Sequence, residues 1–254
     1  MRLYHTSDLH DHRHIAAPLR ALRARTPGLL IDCGDSLRGS QTVFYRREPI
    51  AAELDAAGYD VQALGNREFH YLFGAVRARA ALMHHPLTCA NLVDTFGRPL
   101  PFVRDVTLEC ADDGGTRWSF RFFGLLVVQY PQGSPWERLF GWRFLEPLAV
   151  AAEIAAQTPP GVTLVALSHL GLRTDRRLAA AVPRLELILG GHSHDTLAAP
   201  EYVGDVAIVH TGAYGKFVSQ TDLVRDGARA RIAAFSLAPL TADAGRAGSG
   251  TAWG

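Results

Sequence analysis

Short apolar runs that end in polar or glycine-bearing turns recur along the chain, and amphipathic stretches separate them. Arg2 to Ser7 reads as a strand running into Asp8-Leu9-His10-Asp11-His12. Ile15, Leu19 and Leu22 share one helical face, and Pro27-Gly28 stops that helix. Leu29 to Asp32 then predicts a buried strand that delivers Gly34-Asp35 at its tip, followed by a polar loop over 36–42. Ile50, Leu54 and the alanines around them predict a helix closed by Gly58. Tyr59 to Leu64 reads as a strand capped by Gly65-Asn66-Arg67-Glu68, Phe69 to Leu82 as a helix, and Leu87 to Asn91 as a brief strand.

The middle of the chain changes texture. Phe102 to Cys110 and Arg117 to Val128, joined at Asp112-Asp113-Gly114-Gly115, predict a long hairpin. Trp118, Phe120, Phe122, Phe123 and Trp136 suit its core. A helix over Leu148 to Gln157 precedes a buried strand, Val162 to Leu167, ending in Ser168-His169-Leu170-Gly171. Arg173 to Val182 predicts a helix, and Leu185 to Leu189 a strand ending in Gly190-Gly191-His192-Ser193-His194. Val206 to His210 and two strands around Asp226-Gly227 complete the pattern. Alternating strand–helix units around a β-rich middle predict an α/β fold of two packed sheets with helices outside. The expected domain runs over 1–238, with a disordered tail over 239–254 that has little to bury.

Composition narrows the class. The 254 residues carry a formal charge of +1, which leaves no nucleic-acid footprint and no polybasic membrane patch. No apolar stretch is long enough to cross a bilayer, and the N-terminus enters a strand pattern with no secretory leader. Cys33, Cys89 and Cys110 are scattered and odd in number, as expected of reduced thiols, so a cytoplasmic location is expected.

The strand tips hold the chemistry. Asp8 and His10 stand two apart, so on a continuing strand both would leave one face; His192 and His194 share the spacing. With Asp35, Asn66 and His169 they form an Asp/Asn/His donor set suited to Mn²⁺, Zn²⁺, Fe or Ni. Asp35 can bridge two ions, holding them roughly 3.5–4 Å apart.

These motifs, in this order, resemble the calcineurin-like metallophosphoesterases: Asp8-x-His10, Gly34-Asp35, Gly65-Asn66-x-Glu68, Ser168-His169 and Gly191-His192-x-His194. Tyr59-Asp60, Ala90-Asn91-Leu92, Leu167 to Gly171 and Gly212-Ala213-Tyr214-Gly215-Lys216 resemble the catalytic domain of the 5′-nucleotidase and 2′,3′-cyclic-nucleotide phosphodiesterase branch. The resemblance implies a four-layer α/β/β/α sandwich. It implies one ion on Asp8, His10, Asp35 and His194, a second on Asp35, Asn66, His169 and His192, and manganese as the first expectation. It implies hydrolysis of a small phosphorylated substrate, a monoester or diester such as a nucleotide, by a hydroxide bridging the two ions.

Two departures stand out. The residue after Asn66 is normally a histidine that serves the leaving group; here it is Arg67. Arginine is a poor proton donor and a good bidentate phosphate partner, so Asn66, Arg67 and Tyr214 are expected against substrate. His70, one turn along if the helix starts early, and His12 are the candidate replacement acids. Loss of the acid opens a second reading, a catalytically weak metal-bound phosphate or nucleotide sensor. The nucleotidases of that branch also carry a C-terminal nucleoside-binding domain with no counterpart here, so nucleotide specificity is not implied. Asp8-Leu9-His10-Asp11-His12 also resembles the opening of the polymerase-and-histidinol-phosphatase enzymes, which give no reason for Gly65-Asn66 or Gly191-His192-x-His194. Arg38 and His210 are further residues that could approach substrate.

Overall fold

The computed structural model describes residues 1–240. The first strand–helix run is β1 (Arg2–Thr6), α1 (Ala16–Arg25), β2 (Leu29–Asp32), α2 (Pro49–Ala57), β3 (Val61–Ala63), α3 (Phe73–Ala80) and β4 (Leu87–Thr88). The middle holds β5 (Leu92–Asp94), β6 (Asp105–Ala111), β7 (Arg117–Leu126), α4 (Pro135–Phe140) and β8 (Trp142–Phe144). Then come α5 (Pro147–Gln157), β9 (Thr163–His169), α6 (Leu172–Ala181) and β10 (Leu187–Gly190). β11 (Glu201–Val203), β12 (Val206–His210), β13 (Phe217–Asp226) and β14 (Arg229–Pro239) finish the chain.

Two six-stranded mixed sheets form, ordered β14-β13-β1-β2-β3-β4 and β11-β12-β10-β9-β7-β6. Their central strands are parallel, and antiparallel pairs lie toward the edges. Parallel strands covered on both faces read as unbroken apolar runs, and every residue of β9 is buried accordingly. Alternate residues then serve different layers. Leu164 and Ala166 pack under α5 and α6, whereas Val165 and Leu167 face Leu3, Ile31, Val61 and Phe120 between the sheets. Tyr4, Leu30 and Val218 on the outer face of the first sheet meet Leu19 of α1 and Ile50 and Leu54 of α2. The result is helix, sheet, sheet, helix, as expected. Each fully buried Leu, Ile or Phe contributes about 1.5–3 kcal/mol, so these three apolar layers dominate stability.

Several expectations need correction. The helix expected from Phe69 begins only at Phe73. Phe69 is instead buried in a turn whose carbonyl accepts a hydrogen bond from the Arg79 guanidinium. Trp136 is no hairpin core residue: it is 51 % exposed on α4, stacked on Phe140 and Tyr71. The two-stranded β5–β8 sheet, α4 and β11 have no counterpart in the sequence pattern, because three-residue strands and a six-residue helix carry too little periodicity. β14 pairs through Pro239 and Leu240 is buried, so order extends past 238; the rest of the expected tail lies outside the described residues. No helix among the described residues is long and apolar enough to cross a membrane.

Candidate metal centre

The tips of β1, β2, β3, β9 and β10 meet at one edge of the sandwich, the place where open α/β sheets gather ligands. The first two tips are zipped together beyond the sheet. Asp8 N donates to Gly34 O at 2.9 Å, His10 N to Asp35 O at 2.9 Å and Asp11 N to Ser36 O at 2.8 Å. Gly65, at the tip of β3, makes a further close approach possible: a side chain there would overlap the backbone and carboxylate of Asp35.

The expected strand continuations are absent. β1 ends at Thr6 and β10 at Gly190, and Asp8, His10, His192 and His194 all have left-handed backbones, with φ of 52°, 49°, 74° and 59°. Asp35 (59°) and Tyr214 (63°) join them. Left-handed non-glycine residues carry a conformational cost and gather at functional sites. Here the turns aim side chains inward that a straight strand would have sent elsewhere.

The donors converge. Asp8 Oδ1, His10 Nε2 and His194 Nε2 form a triangle with sides of 2.9, 3.5 and 3.9 Å. Donors about 2.0–2.2 Å from a shared ion stand roughly 3–3.5 Å apart, so this spacing suits one ion. Asp35 Oδ1 lies 3.3 Å from His169 Nε2, and Asp8 belongs to that cluster as well. Asn66 Nδ2 is 3.4 Å from His192 Nδ1. Asp8 Oδ1 and His169 Nε2 are buried without a hydrogen-bond partner, which is costly unless something else meets them. His169 Nδ1 donates to Cys33 O at 2.8 Å, which turns Nε2 toward the cluster. A divalent ion answers both the orphaned atoms and the mixed N/O donor set, so these residues fit one.

Charge follows the same arrangement. Burial opposes ionisation of Asp35, but the His169 imidazolium and the Arg67 N–H hold its carboxyl below the usual range. Burial likewise opposes the His169 charge, and Asp35 raises it well above that of a free imidazole. Burial lowers His10 and His192 to about 4, so both stay neutral and able to ligate.

Residues outside the predicted donor set hold the donors in place. Glu68 is fully buried and accepts the backbone N–H of Asp35, Ser36, Leu37 and Gly65. Asp32 accepts from Gly34 N, Thr6, Ser36 and Gln62. Under the histidine tips, Asp175 takes Ser168 Oγ on one oxygen and His210 Nε2 at 2.7 Å on the other. Gln129 Nε2 donates to Asn66 Oδ1 at 3.2 Å. Glu68 could have been found from its motif; the others are joined only across the fold.

The remaining expected residues are placed as follows. Arg67 lies at the rim: its backbone N–H donates to Asp35 Oδ1 at 2.7 Å and its Nη1 to Arg38 O at 3.1 Å. Tyr214 packs its ring 5.1 Å from that of His10 and 5.5 Å from that of His194. His70 is buried, its Nδ1 accepts Leu72 N at 2.9 Å, and burial lowers its pKa. The early helix start that would have set it one turn from Arg67 does not occur. His210 is a buried partner of Asp175 and Arg38 is an exposed loop residue. His12 packs near Gly215, and Cys33 is buried with its thiol on Leu189 O.

No protein-family model matches the chain. The chain is 28% identical over 247 residues to a Bacillus subtilis protein named uncharacterized metallophosphoesterase YunD, covering 91% of this chain and 52% of that one. A 5′-nucleotidase precursor from Thermus thermophilus superposes with a TM-score of 0.76 at 22% identity, over 96% of this chain and 55% of that one. The calcineurin-like phosphoesterase YfkN of Bacillus subtilis superposes at 0.73 with 19% identity, over 96% and 91%. The chain spans about half the length of the first curated relative it matches. Its relatives in sequence are thus metallophosphoesterases and 5′-nucleotidases, and its fold is theirs.

Proposed function

We propose that this chain, a relative of the metallophosphoesterases, is a metal-dependent phosphoric ester hydrolase that cuts small phosphomonoesters or phosphodiesters, nucleotides among them. The observation that carries the reading is a pair of donor clusters sharing Asp8, one with His10 and His194 and one with Asp35 and His169, in which Asp8 Oδ1 and His169 Nε2 are buried and without a hydrogen-bond partner. Asp8, His10, Asp35 and His194 would hold one ion, and Asp35, Asn66, His169 and His192 the other, with manganese as the first candidate. Bound divalent ions supply positive charge against the phosphoryl oxygens and lower the pKa of water.

The chain's own residues do the rest. Asp35 is held by the Arg67 N–H, with Oδ1 3.3 Å from His169 Nε2, so its carboxylate is placed before any ligand arrives. The Arg67 guanidinium, 3.9 Å from Asp35, has Nη2 free of hydrogen bonds among the described residues, so it can donate to a phosphate oxygen. It cannot deliver a proton to an alkoxide, because arginine stays charged above pH 12. Leaving groups that depart without protonation are therefore preferred. The Tyr214 ring, beside His10 and His194, lines the mouth of the site. The three cysteines are free, which suits a cytoplasmic location.

Arg67 also supports a second reading, a sensor that binds phosphate or a nucleotide without turning it over. p-Nitrophenyl phosphate and its bis-ester, assayed with Mn²⁺ and with chelator, separate the two. Chelator-sensitive turnover is expected; tight phosphate binding with no turnover on either ester would leave the sensor.

A further inference from the structure

The loop over 38–47 stands against Arg67 and supplies no donor itself, although its Gln41 Nε2 donates to Oε1 of Gln129, the partner of Asn66. It carries Arg38, Arg46 and Arg47, all exposed, with Val43, Phe44 and Tyr45 between them. The acid that follows it, Glu48, is buried beneath it and accepts Arg38 N at 2.9 Å and Gly39 N at 3.2 Å. Neither Arg38, Arg46 nor Arg47 makes an ion pair among the described residues, although ten other arginines do.

An exposed basic loop is ordinarily free to move, and this one is fastened from below. Arg79 is 1% exposed, and its guanidinium donates to Ser40 O at 3.0 Å, Val43 O at 2.7 Å and Phe69 O at 2.7 Å. A buried arginine whose hydrogen bonds go only to carbonyls is expensive to retain. It ties the basic loop to the turn that carries Asn66 and Arg67. Arg67 Nη1 adds a bond to Arg38 O. The Arg38 guanidinium lies 3.9 Å over the Tyr45 ring. Stacking occupies its face and Nη2 donates to Arg47 O at 3.4 Å, which leaves Nε and Nη1 without a hydrogen-bond partner among the described residues and able to meet a phosphate.

We propose that Arg38, fixed on Tyr45 beside Arg67, is an anion subsite for a second phosphate on the substrate, one not itself under attack. The preferred substrate class is then an organic diphosphate or bisphosphate rather than a single phosphate ester. This rests on the hydrolase reading for its setting, but binding tests it separately.

Affinities measured by calorimetry, with Mn²⁺ present, compare ADP with AMP and fructose 1,6-bisphosphate with fructose 6-phosphate. In at least one pair the second phosphate should tighten binding about tenfold. Arg38→Gln should remove that advantage while changing the single-phosphate partner's affinity less than about twofold, and Tyr45→Ala should do the same in part. Equal affinities within both pairs, or an Arg38→Gln loss shared equally by both members, overturns the subsite. A protein that binds as expected yet turns over no p-nitrophenyl ester keeps the subsite and loses the hydrolase.

Discussion

The two halves of the site are built by different means. The first sheet delivers Asp8, Asp35 and the His10 imidazole on left-handed turns that are stitched by backbone hydrogen bonds and gathered by Glu68, which accepts four N–H groups. The second sheet delivers imidazoles from tips underpinned by side chains, the buried Ser168–Asp175–His210 chain. The backbone bonds of the first half do not titrate, but Glu68 and Asp32 beneath them do, with carboxyl groups that burial pushes up, Asp32 to about 7. The second half has side chains alone beneath its histidine tips, with the Asp175 carboxyl likewise pushed up by burial. Asp35 and His169, 3.3 Å apart, are where the halves touch.

The largest effect is expected from breaking that contact. Asp35→Ala should empty the centre and lower turnover more than about 10³-fold, beyond the roughly 10–100-fold typical of residues that only support a ligand. Elemental analysis of the purified variant checks it; metal retained at wild-type stoichiometry would refute the shared carboxylate.

Next in size is the proton supply. Wild-type protein should cleave aryl phosphates far faster than alkyl ones. Arg67→His should raise alkyl-ester kcat toward the roughly 10²-fold that a positioned acid contributes. Similar rates on both ester classes in the native protein would contradict it.

The halves can then be weighed directly. Glu68→Gln places an amide against four N–H donors and should cost about 2–3 kcal/mol of stability and about 10–100-fold in metal affinity. Asp175→Asn keeps one hydrogen bond to each neighbour and should cost about tenfold in affinity at most. Titration with Mn²⁺ and urea unfolding of both variants give the ranking, and the reverse order would overturn the contrast between the halves.

The smallest effect tests the floor between the sheets. His5 is fully buried, burial lowers its pKa to about 3, and the His210 charge acts in the same direction. A histidine depressed from about 6.5 in the unfolded chain contributes its full stability above that pH, and loses it as pH falls toward about 3. The native protein should therefore weaken by about 1 kcal/mol per pH unit over that window through His5. His5→Asn should flatten the slope in urea melts at about pH 7, 6 and 5; an unchanged slope assigns the acid sensitivity elsewhere.

The legible elements are those with several residues of unbroken pattern. β9, α5 and the β6–β7 hairpin can be read directly, because burial on both faces, one face or alternate positions leaves a periodic mark. Trp136 and the β5–β8 pair cannot, since Trp136 stacks on the distant Tyr71 and β5 meets β8 only across the whole intervening hairpin. Asp8-x-His10 and His192-x-His194 are visible as residue types, but strand geometry does not bring them together; left-handed turns do.

Local order along the chain thus determined which residues stand at strand tips and what chemistry they can offer. Tertiary structure alone decided which donors share a point, because His10 meets His194 across 184 residues and Asp175 meets His210 across 35. Periodicity reports burial of neighbours along the chain. It carries no information on how two sheets slide into register, and that register is set by the apolar layer packed between them.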